Sequence, residues 1–147
     1  MKDLAFNCQK GQSQELIATA KQLRFNVFVT EQNIPASQEM DDQDFNCCHF
    51  VAYIHNRPVA TARLSPQGKL TRMAVIKLYR RHHVGSFILK ELATHAKTLG
   101  LEQVYCHAQT TSTDFYKKNG FQIIGKPFNE AGILHIKMQK NLALCFS

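Results

Sequence analysis

The chain predicts an α/β fold, a single domain in which a mixed sheet of about seven strands is flanked by helices. Three observations carry that expectation. Its 147 residues suffice for one hydrophobic core, and the apolar and charged fractions, 44% and 20%, are those of a folded globular chain. Short runs of period-two alternation recur, interrupted by two longer segments of helical period. A strand–helix–strand succession across residues 70–109 predicts a crossover with parallel pairing.

The elements follow in order. Residues 4–10 read as a short strand. Ser13 is a candidate N-cap, and Leu16, Ile17, Ala20, Leu23, Val27 and Phe28 make an apolar stripe that predicts a helix to about residue 30. Pro35 and a polar, acidic composition predict a surface loop or broken helix over residues 32–46, long enough to be functional. Residues 49–55 and 59–64 alternate as strands around Asn56-Arg57-Pro58, and Ser65-Pro66-Gln67-Gly68 turns the chain into a third, 70–76. Val84, Ile88, Leu92, Ala96 and Leu99 mark one face of the second long helix, with Gly100 as its stop. The strand over 101–109 puts Val104, Cys106 and Ala108 on one face and Tyr105, His107 and Gln109 on the other. A short helix over 111–118 ends at Asn119-Gly120. Residues 121–124 and 133–138 then close as a hairpin around Asn129-Glu130-Ala131-Gly132. The apolar tail, 142–146, receives no assignment.

Composition excludes several classes. No apolar run approaches the roughly 18–20 residues that span a bilayer, and the N-terminus meets Asp3 without a signal-like apolar region. The expectation is a cytoplasmic protein that does not enter membranes. Five cysteines without CxxC spacing predict free thiols, and seven scattered histidines without an HExxH pattern predict no metal site. The net charge of +7 suggests an anionic partner, but residues 25–56 contain no Lys or Arg and hold Glu31, Glu39, Asp41, Asp42 and Asp44. Such a block repels a phosphate backbone, which weakens the reading as a basic nucleic-acid-binding module. A protein that joins an anionic carrier to a cationic substrate uses both charges.

The chemistry concentrates in Tyr79-Arg80-Arg81-His82-His83-Val84-Gly85-Ser86, a basic turn that runs into the second long helix. Unpaired N–H groups of the first helical turn, with the helix dipole, form an anion cradle. Arg80, Arg81, His82 and His83 add positive charge, and Gly85 lacks the side chain that hinders close approach.

These residues resemble the GNAT superfamily of acetyl-CoA-dependent N-acetyltransferases, whose signature is Arg/Gln-x-x-Gly-x-Gly/Ala between a strand and the following helix. Arg80-Arg81-His82-His83-Val84-Gly85 matches that register, with Met73-Ala74-Val75 as the preceding strand. Phe115-Tyr116-Lys117-Lys118-Asn119-Gly120-Phe121 is similar to the family's Phe/Leu-Tyr-x-x-x-Gly-Phe close. Arg24-Phe25-Asn26-Val27-Phe28-Val29-Thr30-Glu31-Gln32, the acidic segment and residues 132–138 resemble the small bacterial ElaA-like subgroup. His83 departs from the pattern, standing where the first signature glycine is usual. Ser112 and Gln109 are milder departures.

The resemblance implies transfer of an acetyl group from acetyl-CoA to a primary amine, by direct attack in a ternary complex. Backbone around Met73, Ala74 and Val75 would hold the pantetheine arm and the thioester carbonyl, with Gln109 on the neighbouring strand. Amides of Arg81, His82, His83, Val84, Gly85 and Ser86 would hold the pyrophosphate, assisted by the Arg80 and Arg81 charges. Tyr116 would be the general acid, and Cys106 a core residue. The general base stays open among His107, Glu31, Glu39, Asp41, Asp44 and His49. A CoA-binding protein without catalysis is the alternative, and a homodimer is left open.

Overall fold

The computed structural model describes residues 5–142. Strands β1 (Phe6–Gly11), β2 (Cys48–Ile54), β3 (Arg57–Leu64) and β4 (Leu70–Val75) form an antiparallel meander in the order β1-β2-β3-β4. Strands β5 (Gln103–Gln109), β6 (Gln122–Glu130) and β7 (Ile133–Asn141) form a second sheet in the order β5-β7-β6. Seven strands with flanking helices match the expected mixed α/β class. The parallel pairing expected across the crossover shrinks to one isolated bridge, Lys69 with Tyr105, so the sheet is split rather than continuous.

Both faces of the two central strands, β2 and β3, are covered, which explains why most of their residues are buried. In β2, Phe50, Ala52 and Ile54 enter the main core with Ile88 and Leu92 of α3 (Val84–Thr98), while Val51 packs with Leu16, Ala20 and Leu23 of α1 (Gln14–Arg24). On β5, Val104, Cys106 and Ala108 are buried, as their alternation predicts. The closing hairpin is longer than its apolar runs. It turns on Ala131 and Gly132, both at positive φ (53° and 77°), and a register shift between Ile124 and Phe128 carries the strand past Pro127. Leu142 is buried and its N–H donates to the Glu102 carbonyl at 2.9 Å; the rest of the apolar tail lies outside the described residues.

One expectation near the N-terminus needs correction. Ser13 does cap α1, its Oγ accepting from the Leu16 N–H at 3.1 Å. The helix does not continue in α geometry to residue 30, however. Phe25–Glu31 is a π-helix, and the Gln32 N–H then closes on the Val27 carbonyl at 3.1 Å. Aromatic and β-branched residues dominate that stretch and gain least from an α turn.

The acidic segment is the surface-exposed broken helix expected, but two of its carboxylates are not solvated: Glu39 of α2 (Ala36–Glu39) and Asp44 are buried and ion-paired. Arg24, itself 1% exposed, donates to Glu39 and places Nη1 2.7 Å from Asp44 Oδ1. Arg63 donates to Asp44 at 2.9 Å and grips Asp41 with two bonds of 2.8 and 2.9 Å. Arg72 Nη2 adds a bond of 3.1 Å to Asp41. His49 donates from Nε2 to the Asp44 carbonyl at 2.8 Å, and burial pulls its pKa down, so it sits neutral inside the cluster. Asp41, Asp44 and His49 are therefore fold residues. The three arginines come from distant parts of the chain, which is why the sequence shows only the acidic half.

Two predictions follow from this cluster. Asp44→Ala leaves two buried guanidiniums short of a carboxylate and lowers stability by about 3–5 kcal/mol, measured by urea unfolding. Hydrogen bonds from Arg63 hold the Asp41 carboxyl at about 2. A folded value below the unfolded one stabilises fully above about pH 4 and is lost as pH falls towards 2. Urea midpoints should drop across that window, and less steeply in Asp41→Asn.

Candidate active site

The site begins where the two sheets part. Tyr105 N–H donates to the Gly68 carbonyl at 2.9 Å, beside the Lys69–Tyr105 bridge. Gly68 has φ +94°, and a Cβ there would lie 2.8 Å from the Gln103 carbonyl oxygen, so this approach requires glycine. Beyond the bridge β4 bulges. Thr61 pairs with Ala74 and Arg63 with Thr71, one residue extra on β4, and Arg72 sits at φ +54°. A bulge bends its strand, and here it ends contact with β5. The left-handed backbone costs about 1–2 kcal/mol in a non-glycine residue. Arg72 is held there by its own guanidinium, which donates to the Glu39 carbonyl at 3.2 Å and to Asp41.

The outcome is a wedge between the β4 edge at Met73, Ala74 and Val75 and the β5 edge at His107 and Gln109. Because the Tyr105 N–H points towards β4, ladder alternation points those of His107 and Gln109 the same way, where no strand among the described residues meets them. Apart from the Val75 carbonyl, which Arg80 Nε takes, the main-chain groups left free on these two facing edges suit an extended ligand that carries amides.

From β4 a single 3-10 turn (Lys77–Tyr79) leads to the mouth of α3. Arg81 and His83 both adopt left-handed backbone, φ 67° and 64°. His83 therefore departs from the usual glycine in residue but keeps a backbone that glycine adopts. No side chain caps α3, so the N–H groups of Val84, Gly85 and Ser86 lack intrahelical partners, while Phe87 N–H reaches the His83 carbonyl at 3.0 Å. Val84 is buried in the core, and a Cβ on Gly85 would lie 3.0 Å from Phe115 Cζ. Glycine at 85 thus serves packing between helices, a reason the sequence did not reveal.

His83 also lines an open groove of about 640 Å³ with Ser86, Lys90, Lys118, Asn119 and Lys140. Asn119 Nδ2 donates to Ser86 Oγ at 3.2 Å and to the Phe115 carbonyl at 2.9 Å, tying α4 (Thr113–Lys118) to the first turn of α3. Three lysines from three elements converge there. Sequence reasoning singled out none of them; the only signal was Lys117-Lys118-Asn119 inside the second motif.

Arg80 and Glu31 find each other. The guanidinium meets both carboxylate oxygens, at 2.6 and 2.7 Å, while its Nε donates to the Val75 carbonyl at 2.9 Å. That bond holds the Glu31 carboxyl below the usual range, a poor property for a base. Arg80 is likewise committed to β4 and Glu31 rather than free beside the helix mouth. Arg81 is exposed and His82 half-buried.

Tyr116 lies against β5. Its ring makes edge contacts with Phe115 and Phe121, with centroids 5.1 and 5.4 Å away. Its hydroxyl interacts with the Cys106 thiol, and burial pushes the phenol pKa up. Burial also pushes the Cys106 thiol up to about 12, so it carries no thiolate at neutral pH. On the opposite face of β5, His107 Nδ1 lies 3.0 Å from Glu130 Oε1.

The acetyltransferase (GNAT) domain family matches residues 10–142. The uncharacterized N-acetyltransferase YjcF of Bacillus subtilis is 37% identical over 89% of this chain and 96% of its own length. ElaA of Escherichia coli is 31% identical over 82% of this chain and 84% of its own. The crystal structure of that ElaA superposes with a TM-score of 0.80 at 27% identity, covering 93% of this chain and 100% of the other. A Lactobacillus plantarum crystal structure reaches 0.89 at 30% identity, covering 95% and 99%. The chain belongs to the GNAT acetyltransferase family and is an acetyl-CoA-dependent acyltransferase. Within that family it stands with the ElaA-like group. Among the described residues no helix is long and apolar enough to cross a membrane.

Gly68→Ala tests the hinge of the wedge. Strained backbone and the clash with Gln103 should together lower stability by at least about 2 kcal/mol, read as a urea midpoint shift.

Proposed function

We propose that the protein moves the acetyl group of acetyl-CoA to a primary amine by direct attack, without a covalent enzyme intermediate. The observation that carries this reading is the wedge, whose unpaired edges lead to the α3 mouth and on to the lysine-lined groove. Amide-bearing pantetheine, pyrophosphate and the remaining nucleotide phosphate present that same order of chemistry. Met73, Ala74, Val75 and Gln109 contribute main-chain groups to the arm. The amides of residues 81–86 take the pyrophosphate. Lys90, Lys118 and Lys140 supply the positive charge that Arg80 directs elsewhere.

In the transfer, N–H groups at the β4 edge stabilise the oxyanion that forms on the thioester carbonyl. Tyr116 gives its proton to the departing sulfur; burial keeps the phenol protonated, though it also makes it the weaker acid. His107 takes the proton of the attacking amine. It is favoured over Glu31 because Glu31 is gripped by Arg80. Cys106, a protonated buried thiol, is unsuited to an acyl-enzyme step.

The test is incubation with acetyl-CoA and a panel of n-butylamine, lysine methyl ester and spermidine, followed by thiol release and product mass. Turnover with at least one amine is expected. His107→Gln should lower kcat by about a hundredfold, and Tyr116→Phe by about tenfold with acetyl-CoA affinity retained. Glu31→Gln should stay within about threefold of the parent, because its carboxylate takes no proton in this scheme. Collapse in Glu31→Gln with normal turnover in His107→Gln would reverse the assignment of the base.

A further inference from the structure

The hairpin carries a carboxylate that neither sequence motif contains. Glu130 ends β6, and its two oxygens address two imidazoles. Oε1 lies 3.0 Å from His107 Nδ1, and Oε2 lies 3.8 Å from His135 Nε2. The register of the second sheet assembles the group, pairing Gln109 with His135 and Phe128 with His135. The Phe128 ring meets His107 edge-on at 5.0 Å and stacks on His135 at 6.1 Å, so both imidazoles are packed rather than free to rotate. His135 is further anchored through Nδ1, 2.8 Å from the Ile133 carbonyl.

An ionised carboxylate only accepts hydrogen bonds, so the 3.0 Å contact places a proton on His107 Nδ1. In the neutral ring, Nε2 then holds the lone pair. The other tautomer would set two acceptors against each other.

We propose that Glu130 is the positioning residue of His107, holding the imidazole with Nδ1 protonated and Nε2 ready to accept the amine proton. This rests on the acetyl-transfer reading. The amine lone pair bonds to the thioester carbonyl carbon as its N–H proton passes to Nε2. The C–S electron pair leaves with sulfur, which takes the Tyr116 proton. Glu130 stabilises the resulting imidazolium, and its Nε2 proton returns through solvent to the phenolate, so charge and protons balance. The acceptor class is a primary alkylamine, whose ammonium form releases one proton to solvent before the neutral amine reacts by this step.

The experiment is imidazole 15N NMR on the full chain at a pH of about 8.5, above the ordinary range of histidine. The His107 signals are assigned by their absence in His107→Gln. The parent should show the Nδ1–H tautomer, and Glu130→Gln should lose it towards Nε2–H, with partial return in Glu130→Asp. With the best amine of the panel, Glu130→Gln should lower kcat about tenfold at unchanged KM for acetyl-CoA, and should add nothing further to His107→Gln. An Nε2–H parent, a tautomer unaltered by Glu130→Gln, or a Glu130→Gln enzyme with parental kcat overturns the proposal. If no amine reacts, the acetyl-transfer reading fails instead, and the tautomer in the resting protein still decides what Glu130 does. Glu130 is half exposed, so these variants retain the fold, which a thermal melt verifies.

Discussion

Past Lys69, β4 cannot stay beside β5, because Arg72 holds a left-handed backbone and adds one residue to its strand. The split sheet, and with it every candidate binding edge, depends on that local strain. What sustains the strain is electrostatic. Arg72 shares Glu39 and Asp41 with Arg24 and Arg63, and Asp44 completes a set of three guanidiniums and three carboxylates. Two charged groups of that set are nearly solvent-free arginines, so desolvation offsets much of the Coulomb gain. The cluster matters more for fixing geometry than for net stability. It pins the segment between the first helix and β2 onto the strands that border the wedge.

The same segment is tied at its other end. Glu31 closes the π-helix and clamps Arg80, the first residue of the turn that opens α3. The wall beside β4 and the mouth of α3 are thus mechanically joined through one bidentate pair. A wide helical turn changes which face its last residue occupies, and π geometry is often found where a helix serves a site. On the far side of the wedge the hairpin does comparable work, with Glu130, Phe128 and His135 fixing the ring of His107. Both walls are therefore braced by contacts between residues far apart in the chain.

Particular elements show how much was readable in advance. Strand β5 was legible because its alternation is strict, and α3 because its apolar residues keep to one face. The start of α3 was legible from the turn composition that precedes it. His107 could be placed on a strand face but not given a partner, since Glu130 lies 23 residues later and reaches it only through the bulged register of β6 against β7. Lys90, Lys118 and Lys140 escaped notice for the same reason. Glu31 was read as a candidate base and Arg80 as charge for a pyrophosphate, yet their pairing over 49 residues altered what both can do.

By itself the sequence determined the class of fold, the order of its elements and the family, because each of these is written in local periodicity or contiguous motifs. Tertiary structure alone decided where the sheet parts, which acidic groups are buried in ion pairs, and which histidine has a carboxylate behind it. The physical reason is range. Periodicity and caps act over a turn or two of chain, whereas bulges, desolvated charge clusters and cross-strand partners exist only once distant segments have met.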